Sequence, residues 1–299
     1  MRYQFFTCDV FTTTRFGGNP LAVLPDAEGL TTKQMQAIAR EFNYSETSFV
    51  LPAKSGNTRA VRIFTPTREI PFAGHPNIGT AFVLAENGYL GEIDTGTKIA
   101  FEEIAGIVPI TLSQTPGEPM ECELVAPGKF EIGPAVPADL VARALSISTD
   151  QIRTTIHAPL VASVGLPFLL VELTDIDALA QIKADTQVFH EIAALGVMPD
   201  IHAYVHHSAL GFDIHTRMFA PIDGVPEDPA TGSANCALAG LLAHTSPATD
   251  LVVTWRIAQG IEMGRPSSLV ARAEKTRGEV QIVRIKGASV AVSSGELLV

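Results

Sequence analysis

RIFTPTREIPFAGHPNIGTA (62–81) and RMFAPIDGVPEDPATGSANCALA (217–239) are two versions of one stretch. Arg62 matches Arg217, Phe64 matches Phe219, Pro66 matches Pro221 and Pro71 matches Pro226, all at an offset of 155 (217 − 62). Further on, Gly74 pairs with Gly232 and Ala81 with Ala239, at 158 (232 − 74). The second copy therefore carries three extra residues, which this alignment places around Glu227, Asp228 and Pro229. Two more matches keep the same order. GNPLAVL (18–24) resembles GLPFLLV (165–171), and Thr47–Leu51 falls opposite Ala203–His207. An ordered set of matches with a domain-length period indicates a duplicated αβ unit, not a solenoid.

Local patterns fill in each copy. Strand-like runs occupy Tyr3–Phe11, Leu21–Leu24, Thr47–Leu51 and Arg59–Phe64 in the first, and Leu169–Glu172, Ala203–His207 and Phe212–Phe219 in the second. Thr31 and Gln34 form a capping-box pattern for a helix to Phe42, which Asn43 ends. Pro76–Glu86 and Ser233–Leu242 read as helices that are apolar on nearly every side, and such helices are buried. One buried helix among many short strands implies a sheet wrapped around it. Pro134–Pro137 punctuates the junction of the copies, and Val280–Val292 alternates like paired strands. The expected lobes are 1–118 plus 287–299, and 119–286.

The chain has 299 residues, 46% of them hydrophobic, enough for two medium cores. A net charge of −11 with no Lys/Arg run argues against a nucleic-acid or anionic-membrane partner. Cys8, Cys122 and Cys236 form no CxxC pair and suit a reducing, cytoplasmic setting. No signal-peptide pattern and no run of 18 apolar residues is present.

In each copy a strand ends in Phe-x-Pro, a short loop follows, and a glycine opens the buried helix: Gly74-His75 and Gly232-Ser233. Backbone N–H groups at a helix start bind anions, so paired openings suit a carboxylate. The copies then differ in their acids. Glu46, in NYSETSFV, aligns with Ile201, while Asp228 lies within the apparent insertion and has no counterpart. Carboxylates in a dry cleft can move protons to and from carbon, and His75 can donate, accept or orient. The bland alternatives are a surface acid at Glu46, a helix cap at Asp228 or Ser233, and a core histidine at His75. His202, His206 and His207 lie in a strand-like run, where the helical i,i+4 metal pattern does not apply, so no metal site is expected. GSANCALAG lacks the glycine spacing of a dinucleotide fingerprint. Arg265 and Ser267 in QGIEMGRPS fit either an anion contact or a Gly-Pro turn with a structural arginine.

GNPLAV, SETSFV, FAGHPNIGTA, RMFAP, EDPATGSA and QGIEMGRPS together resemble the phenazine-biosynthesis PhzF-like isomerases of the diaminopimelate epimerase superfamily, in order from residue 18 to 267. The resemblance implies an α+β, two-lobed epimerase-like fold, each lobe a curved, mostly antiparallel sheet around a central helix, with the last strand returning to the first lobe. It also implies a homodimer that needs no cofactor. Glu46 falls on the family's catalytic glutamate, and His75 and Asp228 on its active-site histidine and aspartate. Gly74, Gly232 and Ser233 fall on substrate-carboxylate contacts, and Asn19 on a pocket-lining asparagine. The epimerases proper carry a cysteine at each helix mouth. Here those places are held by Ala73 and Thr231, the latter a further candidate substrate contact, so two-thiol racemisation has no basis. The expected function is isomerisation of a small carboxylate, in which Glu46 takes a proton from one carbon and returns it to another. The alternative is a non-catalytic small-acid binder on the same scaffold.

Overall fold

The structure, a computed structural model, describes residues 1–207 and 211–299. The chain divides into two compact units, Met1–Pro127 with Lys286–Val299, and Gly128–Ile285.

The first unit holds β1 (Arg2–Val10), β2 (Asn19–Leu24), α1 (Thr32–Phe42), β3 (Glu46–Leu51), β4 (Arg59–Phe64), β5 (Glu69–Ile70), α2 (Gly74–Glu86), β6 (Thr97–Glu103), β7 (Gly106–Ser113) and β8 (Glu121–Val125). The C-terminal strand runs antiparallel to β1, from Ser289 against Val10 to Leu298 against Arg2. From there the order is β1, β2, β3, β4, β6, β7, β8, antiparallel except for β2–β3 and β4–β6. α2 packs on β1, β2 and β3 and also on β7 and β8. A helix that touches both ends of the strand order lies inside a curved sheet. Every residue of α2 from Gly74 to Ala85 is buried, as its all-round apolar sequence requires. α1 is different: it buries only Met35, Ile38 and Ala39, and it starts with the Thr31–Gln34 capping box and ends on left-handed Asn43.

Close approach at the centre depends on Gly79. A Cβ there would lie 2.6 Å from Leu21 Cδ2 and 2.7 Å from Val10 Cγ2. Alanine gains roughly 1 kcal/mol of helix propensity over glycine, but overpacking a tight core costs about 1–3 kcal/mol. Gly79→Ala is therefore expected to destabilise the fold, seen as a lower urea midpoint at unchanged m-value.

The second unit repeats the plan. It holds β9 (Glu131–Ala135), α3 (Ala138–Leu145), β10 (Leu160–Ser163), β11 (Pro167–Glu172), α4 (Ile176–Ala180), α5 (Thr186–Ala194), β12 (Ile201–His206), β13 (Ile214–Ala220), β14 (Val225–Asp228), α6 (Gly232–Thr245), β15 (Leu251–Gln259) and β16 (Ser267–Thr276). The final strand is β17 (Glu279–Leu298), one long strand where the alternation suggested paired ones. The order β9, β10, β11, β12, β13, β15, β16 is antiparallel except for β11–β12 and β13–β15, the two places that match the parallel pairs of the first unit. α6 packs on β10, β11, β15 and β16 and is buried along most of its length.

The shared plan extends to single side chains. Arg62 forms a two-point pair with Glu69, at 2.7 and 2.6 Å, and lies over the Phe64 ring. Arg217 does the same with Glu227, at 2.7 and 2.8 Å, over Phe219. Arg217 also donates to the carbonyls of Leu179, Ala180 and Ile182 around the end of α4.

This pairing corrects the sequence alignment. Strand β4 pairs Ile63 with Ile70, and β13 pairs Met218 with Asp228. Since Ile63 and Met218 are equivalents at 155, Asp228 is the equivalent of Ile70 at 158, Glu227 of Glu69, and Pro229 of Pro71. The three extra residues lie instead in the turn at Pro221–Gly224, and Pro71 and Pro226 align only by coincidence. Asp228 thus has a counterpart, and it is an isoleucine. Glu46 aligns with Asp200 and not with Ile201: β3 pairs Thr47 with Phe64 as β12 pairs Ile201 with Phe219, so the residue before each, Glu46 and Asp200, are the equivalents. The Asp228 place is thus an acid in one copy and an isoleucine in the other, whereas the Glu46 place is an acid in both.

Candidate active site

In the first unit Glu46 opens β3, and its side chain is 17% exposed, so it is not a surface acid. His75, the second residue of α2, is 4% exposed and reaches Glu46 with Nε2 3.4 Å from Oε2. On its other side, His75 Nδ1 lies 3.3 Å from Asn19 Nδ2, and Asn19 Oδ1 accepts from Ser45 Oγ at 3.0 Å. An amide nitrogen can only donate, so Nδ1 accepts and the ring proton sits on Nε2, toward Glu46. Burial pushes the His75 pKa down to about 3, which keeps the ring neutral. His75 is therefore a neutral ring whose Nε2 lies beside the Glu46 carboxyl without full hydrogen-bond geometry, and Asn19 and Ser45 fix its tautomer. Gly74 and His75 supply the first two backbone N–H groups of the same helix, and the third residue, Pro76, supplies none.

In the second unit Asp228 ends β14 and is 7% exposed. It does not cap α6 from the N-cap position. That position is Thr231, whose hydroxyl donates to Asp228 Oδ2 and makes no capping bond. Ser233 is the second residue of the helix, so the N-cap reading of Ser233 does not hold. The Asp228–Gly232 loop is clamped by a residue that sequence reading passed over. Gln259 Nε2 donates to Asp228 O (2.8 Å) and Thr231 Oγ1 (3.0 Å). Its Oε1 accepts from Thr231 N (3.1 Å) and Asn235 Nδ2 (2.8 Å). Asn235 also donates to Thr231 O, and its Oδ1 lies 3.1 Å from His202 Nε2. Burial lowers the His202 pKa to about 4, so this ring too is neutral. The loop is closed from outside by Ser267 Oγ, which donates to Pro229 O at 2.7 Å, and by left-handed Gly260 (φ 74°). A Cβ on Gly260 would lie 2.5 Å from Arg265 O and 2.6 Å from Pro229 O. Ser267 is thus part of the turn that supports the Asp228 loop.

The remaining candidates sort themselves by position. His202 is buried against Asn235, and His206 is exposed. Among the described residues no group of three or more His, Cys, Asp or Glu is placed to hold a metal ion, and no helix is long and apolar enough to cross a membrane. The three cysteines are buried in β1, β8 and α6, away from the first residues of the two helices. Burial raises the thiols of Cys122 and Cys236 to about 12 and Cys8 higher still, so none supplies a thiolate base at neutral pH.

Comparison with known proteins places this architecture. Residues 8–295 match the family model described as phenazine biosynthesis-like protein. An uncharacterized isomerase of Mesorhizobium japonicum is 38% identical, with 99% of each chain covered. The trans-2,3-dihydro-3-hydroxyanthranilate isomerase of Pseudomonas aeruginosa is 36% identical, with 98% of each covered. A crystal structure of a Bacillus anthracis phenazine biosynthesis protein of the PhzF family superposes with a TM-score of 0.90 at 25% identity, covering all of both chains.

Proposed function

Because the chain belongs to the phenazine biosynthesis-like protein family, we propose that it is a cofactor-independent isomerase that moves a proton between two carbons of a small carboxylate. Glu46 is the proton carrier. The observation that supports this most is the Glu46–His75 pair: a partly buried carboxyl facing a neutral imidazole N–H at the first turn of a buried helix. His75 lies beside the Glu46 carboxylate before the first transfer and after the second, while Glu46 holds the proton as the neutral acid between them, and the ring does not itself exchange charge at neutral pH. Asp228, held by Gln259 and Thr231, positions the substrate and completes the relay. The N–H groups at Gly74, Gly232 and Ser233 hold the substrate carboxylate and the enolate-like charge that forms when a conjugated C–H is lost. We also infer a homodimer in the cytoplasm, in keeping with the family resemblance and three unpaired buried thiols.

The relatives named for trans-2,3-dihydro-3-hydroxyanthranilate make it the first substrate to test. The expected result is conversion to a product of unchanged mass in water and one unit heavier, at carbon, in D2O. No conversion of this or any related unsaturated cyclic acid would contradict the assignment.

A further inference from the structure

Glu103 and Gln259 occupy the same place in the two halves. Strand β4 runs parallel to β6 with Arg59 beside Phe101 and Ala60 beside Glu102. Strand β13 runs parallel to β15 with Ile214 beside Ile257, His215 beside Ala258 and Thr216 beside Gln259. With Arg59 and Ile214 equivalent at the offset of 155 (214 − 59), the next step along β6 after Glu102 is the equivalent of Gln259. The helix asparagines correspond in the same way. Asn77 Nδ2 donates to Ala73 O at 2.9 Å, as Asn235 Nδ2 does to Thr231 O at 3.0 Å. In the second half the glutamine ties asparagine, loop and helix mouth together. In the first half the same place holds an acid.

The surroundings of that acid set its charge. Both carboxyl oxygens of Glu103, and Asn77 Oδ1, are buried without a partner at full hydrogen-bond geometry. Asn77 is the polar side chain that acts on Glu103. An ionised carboxylate would bring only acceptors to this place, whereas the neutral acid brings one O–H donor and one C=O acceptor, the same pair that a glutamine amide presents. Among the described residues no cation acts on Glu103. Strand β7 carries no charged residue; on β4, Arg62 is paired with Glu69, and Arg59 donates to Thr58 O and Tyr89 O. On α2, His75 is neutral and Glu86 lies at the far end. On β6 itself Lys98 is five residues away, and Glu102 accepts from the Lys54, Ser55 and Asn57 backbone and from the Asn57 amide. Burial raises the Glu103 pKa to about 8, and the Asn77 amide opposes this only in part.

We propose that Glu103 works as a neutral acid, a positioning residue that bonds to Asn77 and holds the Gly74-His75 helix mouth as Gln259 holds the one at Gly232. It touches no substrate and acts through Asn77 and the first turn of α2. Loss of its proton in mildly alkaline solution loosens that turn and the His75–Glu46 pair carried on it. The activity part of this inference rests on the isomerase reading above; the protonation part does not.

Three readouts on the intact protein test it. With 13C-labelled glutamate carboxyls, the signal absent from Glu103→Gln should titrate near pH 8 in the wild type. A signal that titrates near pH 4.5 overturns the proposal. Urea unfolding supplies the second readout. Glu103 has a raised folded-state pKa, so its contribution is intact below the unfolded value of 4.5 and is lost as pH rises through about 8. His75 and His202, whose values are lowered, act only below 6.5, and the buried thiols act only near 9 and above. Between pH 6.5 and 8 the wild-type folding constant should therefore fall about tenfold per pH unit more than that of Glu103→Gln. Equal slopes overturn the proposal. Third, wild-type kcat on trans-2,3-dihydro-3-hydroxyanthranilate should drop about tenfold from pH 7 to pH 9, and that of Glu103→Gln less than about twofold, with similar KM. Matching losses in both proteins overturn the positioning role. If neither protein turns over, the isomerase reading fails, and the carboxyl titration alone decides the state of Glu103.

Discussion

Glu46→Gln is expected to lower kcat by about 10³- to 10⁴-fold, the upper part of the about 10²- to 10⁴-fold range for a positioned acid–base group. That corresponds to about 4–5 kcal/mol of barrier. Glutamine keeps the size of the side chain and its acceptor oxygen for the His75 N–H, but it cannot take a proton from carbon. The fold should be untouched, because the pairing of Glu46 with Leu21 runs through the backbone and the side-chain volume is kept. Circular dichroism and the urea midpoint check the fold, and steady-state rates check the chemistry. A variant that unfolds would show that Glu46 is structural. A folded variant within tenfold of wild type would show that the proton carrier is another group.

Asp228→Asn is expected to lower kcat by about 10²-fold with a smaller change in KM. Asparagine retains an oxygen for the Thr231 hydroxyl, and the loop backbone remains held by Gln259, so the geometry of the Gly232 mouth should survive. What is lost is the charge and the capacity to accept a proton. A rise in KM with unchanged kcat would instead assign Asp228 to ground-state binding alone. The equivalent residue in the first unit, Ile70, shows that the strand end does not need an acid in order to pair.

The duplication was legible because both units need the same few residues. An arginine sits over a phenylalanine, a proline closes the strand, and a glycine opens a helix that has no room for polar surface. The central helices were legible from their all-round apolar sequence, although each begins before the predicted residue, since Gly74 and Gly232 already belong to them. The insertion was misplaced because two prolines happened to align across turns of unequal length. Only strand pairing, Ile63 with Ile70 and Met218 with Asp228, settles which residues correspond. The small helices α4 and α5 start on the aspartate caps Asp175 and Asp185, a local signal that the strand-centred reading passed over. Gln259 and Glu103 were not legible at all. Their roles depend on the register of parallel strands about 42 residues apart in sequence, which no local pattern encodes. Asn77 and Asn235 were within reach, since both lie at the same place in the duplicated helix openings.

The most direct measurement is a crystal structure with anthranilate, an unreactive aromatic amino acid of the same ring class, soaked at the lowest concentration that gives density. The isomerase reading predicts a molecule that contacts Glu46 and residues 74–75 at hydrogen-bonding distances of about 3 Å. Anthranilate bound with Glu46 out of reach would contradict it.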